Sequence, residues 1–108
     1  MKQIQAYIKK HKLDDVVRGL RKSELLSGLS VMDREGYGLG WARGGSEEHE
    51  LLVGVKLEVF CPDINVDQVV SIIEKEAHTG LKGDGKIYVS HVDQAVRIST
   101  GERGEEAV

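Results

Sequence analysis

The sequence has little of several residue types, and each shortage excludes a class of protein. Cys61 is the single cysteine among 108 residues, which excludes an internal disulfide framework and favours a reducing compartment. Basic residues do not dominate, since 15 Lys and Arg stand against 18 Asp and Glu, and a general nucleic-acid binder would be basic. Residues 1–10 alternate apolar and polar types, unlike a signal peptide or a membrane span. We therefore expect a cytoplasmic protein that neither inserts into membranes nor binds nucleic acid.

The length of the chain limits its organisation. A chain of 108 residues and 11.9 kDa is expected to form one domain, residues 1–108. Such a domain buries a hydrophobic core but has little volume left for a deep pocket of its own. A ligand site is therefore expected to be shallow or shared with another chain.

Hydrophobic periodicity predicts six elements of secondary structure. Apolar residues at helical spacing predict one helix over residues 12–26 and another that is capped by Asn65 or Asp67 and continues to Ala77. Alternating apolar residues predict strands over residues 2–9, 29–37, 51–60 and 86–92. The order strand, helix, strand, strand, helix, strand is typical of an α+β, ferredoxin-like βαββαβ fold, with an antiparallel sheet and both helices on one face.

Two segments do not fit this scaffold. Residues 38–50 are too many for a tight hairpin turn, and loops of that length are usually functional or disordered. The segment contains Trp41, which either docks a partner or packs back onto its own assembly; both interpretations stay open. The tail from Gly101 is polar and acidic, and we expect it to be loosely held.

The stretch at residues 78–89, HTGLKGDGKIYV, concentrates glycine and charge. Gly80 is placed to end the second helix, while Gly83 and Gly85 allow backbone N–H groups to point into one concavity, as in anion-binding loops. Lys82 and Lys86 add positive charge beside those amides. The alternative is an ordinary helix-to-strand loop with solvated lysines, and spacing alone favours that alternative.

Five segments resemble the P-II signalling proteins. TGLKGDGKIYV resembles the second signature of that family, TG-x-x-GDGKI followed by an aromatic residue. IKKHKLDDV at 8–16, REGYGLG at 34–40, VKLEVFCPD at 55–63 and VRISTGERGEEAV at 96–108 resemble other family segments in the same order. The resemblance covers nearly the whole chain.

The resemblance implies a homotrimer that binds ATP, ADP or AMP in clefts between subunits and controls a membrane transporter or an enzyme. A T-loop at residues 38–50 would contact the target, with Trp41 as the partner-binding residue, and residues 79–86 would form the phosphate-binding loop. Arg97, which precedes the C-terminal tail at residues 99–108, would reach phosphate from the neighbouring subunit. The implied nucleotide-binding residues are Gly28, Leu29, Ser30, Gly36, Tyr37, Gly38, Phe60, Gly83, Asp84, Gly85, Lys86 and Arg97.

The sequence departs from the family pattern at charged positions. Leu39 and Ser99 replace phosphate-binding arginines, Gly40 replaces the glutamine that helps to hold Mg²⁺ and 2-oxoglutarate, and Gly54 replaces a lysine. The T-loop is also shorter than usual, and no tyrosine lies between Tyr37 and Tyr88 as a nucleotidylation target. We therefore expect a divergent P-II-like protein that prefers di- or monophosphates and does not sense 2-oxoglutarate. Bicarbonate is the expected co-effector, which links the protein to inorganic carbon.

Other functions have weaker support in the sequence. No catalytic constellation is evident, so the protein is not expected to be an enzyme. The run SEEHE at 46–50 is interpreted as a solvated charge run, and no metal site is predicted. Lys9 and Lys10 are interpreted as a surface pair, and Tyr7 either faces the nucleotide cleft or packs between subunits. The alternatives that remain are a divalent-metal trimer of the copper-tolerance type, a standard nitrogen-regulatory P-II protein, and an oligomeric scaffold with a degenerate pocket.

Overall fold

A computed structural model describes residues 1–37 and 51–108, and its elements follow the predicted order. The strands are β1 (Lys2–Ile8), β2 (Ser30–Tyr37), β3 (Leu51–Cys61) and β4 (Lys86–His91). The helices are α1 (Leu13–Ser23) and α2 (Val66–Ala77), and short 3-10 turns occupy Lys10–Lys12, Asp63–Asn65 and Gly104–Ala107. The predicted T-loop lies outside the described residues.

The four strands form one antiparallel sheet in the order β2-β3-β1-β4. Alternate residues of the central strands point into a single core shared with both helices, because a strand turns successive side chains to opposite faces. The fully buried core residues include Ile4, Ala6, Val16, Val55, Leu57, Val59, Val69 and Ile73. The predicted ferredoxin-like fold is confirmed, with both helices on one face of the sheet.

The first helix ends earlier than its apolar pattern predicts. The hydroxyl of Ser23 donates a hydrogen bond to the carbonyl oxygen of Leu20 at 2.6 Å and accepts one from the amide of Leu25 at 3.2 Å. Glu24 then adopts a left-handed conformation, with φ of 57°. Ser23 thereby offers the backbone local partners that compete with a further helical turn, so α1 does not continue to residue 26.

The prediction of a loosely held tail is wrong for this structure. Val96 pairs with Arg103 in an antiparallel bridge, and the chain then forms the last 3-10 turn. The N-terminal amine of Met1 lies 2.7 Å from a carboxylate oxygen of Asp63 and 3.6 Å from one of Glu105. The Asp63 carboxylate raises the pKa of this amine by hydrogen bonding. Both chain termini are thus held at the same end of the sheet.

Candidate functional site

The sheet has a cleft at each end. The loop-end cleft, about 860 Å³, is lined by residues 82–86, the end of β1, and side chains of β2, β3 and β4 that include Arg34, Tyr37 and Tyr88. The termini-end cleft, about 540 Å³, is lined by residues 27–30, 58–60, 94–96 and both chain ends. Strand register places them apart, since Tyr37 is opposite Leu51 at one end and Ser30 is opposite Glu58 at the other. Each cleft therefore takes a different part of the predicted site.

The loop over residues 79–85 is held together by the Asp84 carboxylate. It accepts hydrogen bonds from the Thr79 amide at 2.8 Å, from the Thr79 hydroxyl, and from the Gly80 amide at 3.1 Å. The bonds from Thr79 hold the pKa of this carboxyl well below its usual range. Asp84, predicted as a phosphate-loop residue, thus fixes the shape of the loop from inside, and the shape decides where the neighbouring amides point.

A lysine from the first strand connection completes this network. The Nζ atom of Lys9 lies 3.2 Å from Asp84 and donates a hydrogen bond to the Thr79 hydroxyl oxygen at 3.1 Å. Its side chain is only 21% exposed, so the interpretation of Lys9 as a surface residue is wrong. Lys10, in contrast, is exposed and lies 4.0 Å from Asp33.

Two glycines in the loop adopt backbone conformations that other residues rarely adopt. Gly83 and Gly85 have φ of 82° and 101°, in the region that residues with a Cβ atom avoid. A Cβ atom on Gly85 would also overlap the carbonyl oxygen of Tyr7 on the adjacent strand. Gly80 shares the left-handed conformation but lies beyond the cap of α2 at His78, so it does not end the helix directly as predicted.

The loop-end cleft carries an excess of positive charge. Lys9, Arg34, Lys82 and Lys86 line it together with one carboxylate, Asp84, which is already paired with Lys9. Among residues 1–37 and 51–108, no carboxylate lies within ion-pair distance of Lys82 or Lys86. Lys86 begins β4 directly opposite Tyr7 of β1, so its position is set by sheet pairing. The cleft is therefore suited to an anion.

The termini-end cleft has a different character. Gly28, Leu29 and Ser30 border it just before and at the start of β2, and Phe60 lines it from the end of β3. The Phe60 side chain is 44% exposed, which is unusual for a phenylalanine on a folded chain. Phe60 therefore gives this cleft an exposed apolar wall.

Arg97 belongs to the termini end of the molecule. It follows Val96, which lines the termini-end cleft, and its guanidinium donates a hydrogen bond to the carbonyl oxygen of Glu106 at 3.4 Å. Within one chain the structure therefore does not bring Arg97 to the phosphate-binding loop. Gly36 and Tyr37 end β2 at the loop end, whereas Gly38 and Trp41 lie outside the described residues.

Sequence reasoning missed Arg34 as a residue of the loop-end cleft and left the role of Tyr7 open. Tyr7 lines the cleft and packs edge-on against Tyr88, with ring centroids 6.0 Å apart. Arg34 lies over the Tyr7 ring, 4.9 Å from its centroid. The period of two along β2 could have identified Arg34, because it places Met32 and Arg34 on the same face of the sheet, away from the helices.

No group of three or more His, Cys, Asp or Glu side chains in residues 1–37 and 51–108 is placed to hold a metal ion. Residues 46–50 lie outside those ranges, so the predicted absence of a metal site stays a prediction. No described helix has the length and apolar character needed to cross a bilayer.

Comparison with known proteins gives one consistent family. The family model described as "Nitrogen regulatory protein P-II" matches residues 1–102. Curated relatives of that name include one from Haemophilus influenzae, 44% identical, and one from Rhodobacter capsulatus, 42% identical. A third, from Azospirillum brasilense, is 39% identical, and all three alignments cover 100% of both chains. The chain therefore belongs to the P-II family of nitrogen regulatory proteins.

Proposed function

We propose that this protein is a nucleotide-responsive regulator that binds ADP, AMP or ATP between subunits of a homotrimer. P-II proteins are regulatory rather than enzymatic, and they bind adenine nucleotides as effectors. They are homotrimers that regulate transporters and enzymes. In this proposal the loop at residues 38–50 acts on a transporter or an enzyme in the cytoplasm, with Trp41 as the contact residue.

The glycine-rich loop carries the proposal. Asp84 and Lys9 fix the loop from inside, while Gly83 and Gly85 adopt the conformations that let successive amides face one concavity. Lys86 lies at the same cleft, without a carboxylate among the described residues to neutralise it. Backbone amides and a lysine at one point form a phosphate site, because charge-assisted hydrogen bonds are the strong ones.

The placement of the two clefts at opposite ends of the sheet supports the assembly of several copies of the chain. Strand β1 has seven residues, so about 20 Å separates its ends at roughly 3.3 Å per residue. One nucleotide contacts both the phosphate loop and the apolar surface at Phe60 only when one copy places its termini end against the loop end of its neighbour. Arg97 would then approach the phosphates from that neighbour, in agreement with its place at the termini end.

The charge of the site favours the shorter nucleotides. Leu39 and Ser99 stand where the family pattern has arginine, so fewer cations are available to a triphosphate. Each charge-assisted hydrogen bond contributes about 1.5–3 kcal/mol to binding. Without these arginines, the third phosphate of ATP adds little binding energy. We infer a preference for ADP or AMP over ATP.

The co-effector is proposed to be a small anion, with bicarbonate as the candidate. Leu39 and Gly40 cannot supply the Mg²⁺ and 2-oxoglutarate contacts that the family pattern implies. The second candidate is a nitrogen regulator that responds to 2-oxoglutarate, and the name shared by the relatives favours it. A copper-tolerance-type metal trimer and a scaffold without ligand are less compatible with the fixed glycine loop.

One experiment separates these candidates. Trp41 is the single tryptophan, so its fluorescence reports on the loop at residues 38–50 without interference. We expect ADP or AMP to change the emission, bicarbonate to change it further, and 2-oxoglutarate to have no effect. A response to 2-oxoglutarate that requires Mg²⁺ and ATP would instead support the nitrogen regulator. Light scattering on the same sample tests the trimer, and a monomer at micromolar concentration would contradict the proposed site.

A further inference from the structure

The side chain of Arg34 has an unusual environment. Its guanidinium carbon lies over the ring of Tyr7, 4.9 Å from the ring centroid, on the sheet face away from the helices. Its Nε atom is buried and has no hydrogen-bond partner among the described residues, where no other buried side-chain nitrogen or oxygen lacks one. A buried donor without an acceptor is rare in folded proteins and needs an explanation.

Two glycines leave space around this guanidinium. Gly54 is directly opposite Arg34 in the β2–β3 pairing, and a Cβ atom there would lie 3.6 Å from Nε. The same Cβ atom would lie 2.6 Å from the carbonyl oxygen of Ile8, so a larger residue requires the strands to move. A Cβ atom on Gly36 would lie 3.5 Å from an Nη atom of Arg34. Because both neighbours are glycines, no side chain at either position occupies the space beside the guanidinium.

Stacking leaves that polar edge available to a ligand. The contact with Tyr7 uses the flat face of the guanidinium, whereas its N–H groups lie in the plane and point outward. Arg34 and Lys86 both border the loop-end cleft, and Lys86 is paired across the sheet with Tyr7. Two cations therefore flank one tyrosine, and the only carboxylate among the residues known to line this cleft, Asp84, is engaged by Thr79 and Lys9.

The strand register fixes where this cation stands. Arg34 of β2 is directly opposite Gly54 of β3, so the pairing of the two strands holds the arginine at one defined point of the sheet. An arginine at this point has a property that a lysine lacks, because a guanidinium can bind two oxygen atoms of one oxyanion side by side, which an ammonium group cannot do in the same fixed geometry.

We propose that Arg34, together with Lys86, forms an oxyanion subsite in the loop-end cleft. The ligand group is a phosphate or a carboxylate-like oxyanion whose oxygens accept hydrogen bonds from Nε and one Nη atom of Arg34. This inference rests on the proposed function for its biological ligand, and the oxyanion has two sources. It is either a phosphate of the bound nucleotide or a separate small anion such as bicarbonate.

The test compares three variants of the full chain by calorimetry. Arg34→Gln removes the charge, Arg34→Lys keeps the charge without the fork of donors, and Arg18→Gln makes the same change at an exposed arginine on α1. The probes are ATP, ADP, AMP, adenosine, inorganic pyrophosphate and bicarbonate, the last with and without nucleotide. Thermal unfolding of each variant verifies that the fold is retained.

We expect Arg34→Gln to weaken binding of the oxyanion probe by about tenfold or more, because one or two charge-assisted hydrogen bonds are lost. Arg34→Lys should recover part of this loss, while adenosine binding and the Arg18→Gln protein should be unchanged. A loss that grows from AMP to ATP and appears with pyrophosphate identifies a nucleotide phosphate. A loss confined to the bicarbonate arm identifies a separate anion.

Two outcomes overturn the inference. One is an Arg34→Gln protein that binds every probe as tightly as Arg18→Gln does, and the other is a parent protein that binds no oxyanion probe. Failure of the proposed function is distinguishable from both. If adenine nucleotides do not bind but pyrophosphate or bicarbonate binds in an Arg34-dependent way, the proposed function fails and the oxyanion subsite stands.

Discussion

The two ends of the sheet are built from the same strands but differ in the charge and polarity of their clefts. At the loop end, polar side chains fix a glycine-rich backbone, and Lys82, Lys86 and Arg34 remain without carboxylate partners in the described ranges. At the termini end, the cleft is bordered by Leu29, Phe60 and the folded tail, and the charged groups nearby pair with one another. One end is suited to charge and the other to a flat apolar group.

The comparison is the basis for the proposal that one nucleotide is shared by two chains. A nucleotide combines a charged phosphate chain with a flat, weakly polar base, and we propose that each end of the sheet receives one of these parts. In the proposed trimer each interface joins the loop end of one copy to the termini end of another, so changes at the two ends have separable effects.

The largest expected difference between the ends comes from a single methyl group. Gly85→Ala places a Cβ atom against the carbonyl oxygen of Tyr7 at φ of 101°, and we expect it to lower the free energy of unfolding by about 2–5 kcal/mol. Gly28→Ala, at the termini end, meets nothing within 4 Å and should change it by less than about 0.5 kcal/mol. Urea denaturation measures both. Equal effects would contradict the rigidity assigned to the loop end.

Nucleotide binding should depend on both ends through different chains. Lys86→Ala and Arg97→Ala should each weaken ADP or AMP binding by about 1.5–3 kcal/mol, with the trimer intact, because each removes a charge-assisted contact. Lys75→Ala, an exposed lysine on α2, is the matched control. The Lys86→Ala protein keeps Arg97, and the Arg97→Ala protein keeps Lys86. In mixed trimers of the two variants, binding should therefore return at each interface that joins the intact Lys86 of one chain to the intact Arg97 of the other. Unchanged affinity in both single variants would contradict this placement of the site.

Acid should lower the stability of the loop end through Asp84. Its pKa is lower in the folded protein than in the unfolded chain, so its contribution to stability is complete above the ordinary aspartate pKa, about 3.9. That contribution is lost as the pH falls toward the folded value. We expect Asp84→Asn to flatten the decline of stability below about pH 4, whereas Asp67→Asn on α2 should retain it. Chemical denaturation at a series of pH values measures the difference.

The smallest expected effect lies at the termini end. The Asp63 carboxylate raises the pKa of the Met1 amine, so this contribution is complete below the unfolded amine pKa, about 8, and is lost as the pH rises through the folded value. Asp63→Asn should remove a slight loss of stability on the alkaline side and leave nucleotide affinity unchanged. The ion pair is exposed on the Asp63 side, where solvent weakens it. A large drop in stability at neutral pH would contradict this assignment.

The order of the elements was predictable because burial dominates it. Ile4, Ala6 and Ile8 alternate in the sequence and are all buried in β1, so the period of two indicated both the strand and its inner face. The end of α1 was not predictable from apolar spacing, since Ser23 ends it through two hydrogen bonds to nearby backbone. Local polar competition of this kind does not appear in a hydrophobic pattern.

The candidate site was predictable only where its residues are close in sequence. The loop at 79–86 was found as a motif, but the partner that fixes it, Lys9, stands 70 residues before Thr79. Arg34 depends on its register with Gly54 across the long segment between the two strands. The division of the site between two ends of the sheet depends on the folded topology, which residue spacing does not encode.

The burial of Cys61 makes its rate of chemical modification a measure of how often this end of the sheet opens. The thiol is fully buried at the end of β3, opposite Lys2, and burial raises its pKa, so little reactive thiolate is present near neutral pH. Because the thiol is buried, alkylation requires this end of the sheet to separate. Since the chain has no other cysteine, all alkylation occurs at this position. The rate of modification therefore measures how often the strand ends exchange with an open form. The same protection leaves a cysteine introduced at the surface as the one site for a spectroscopic label.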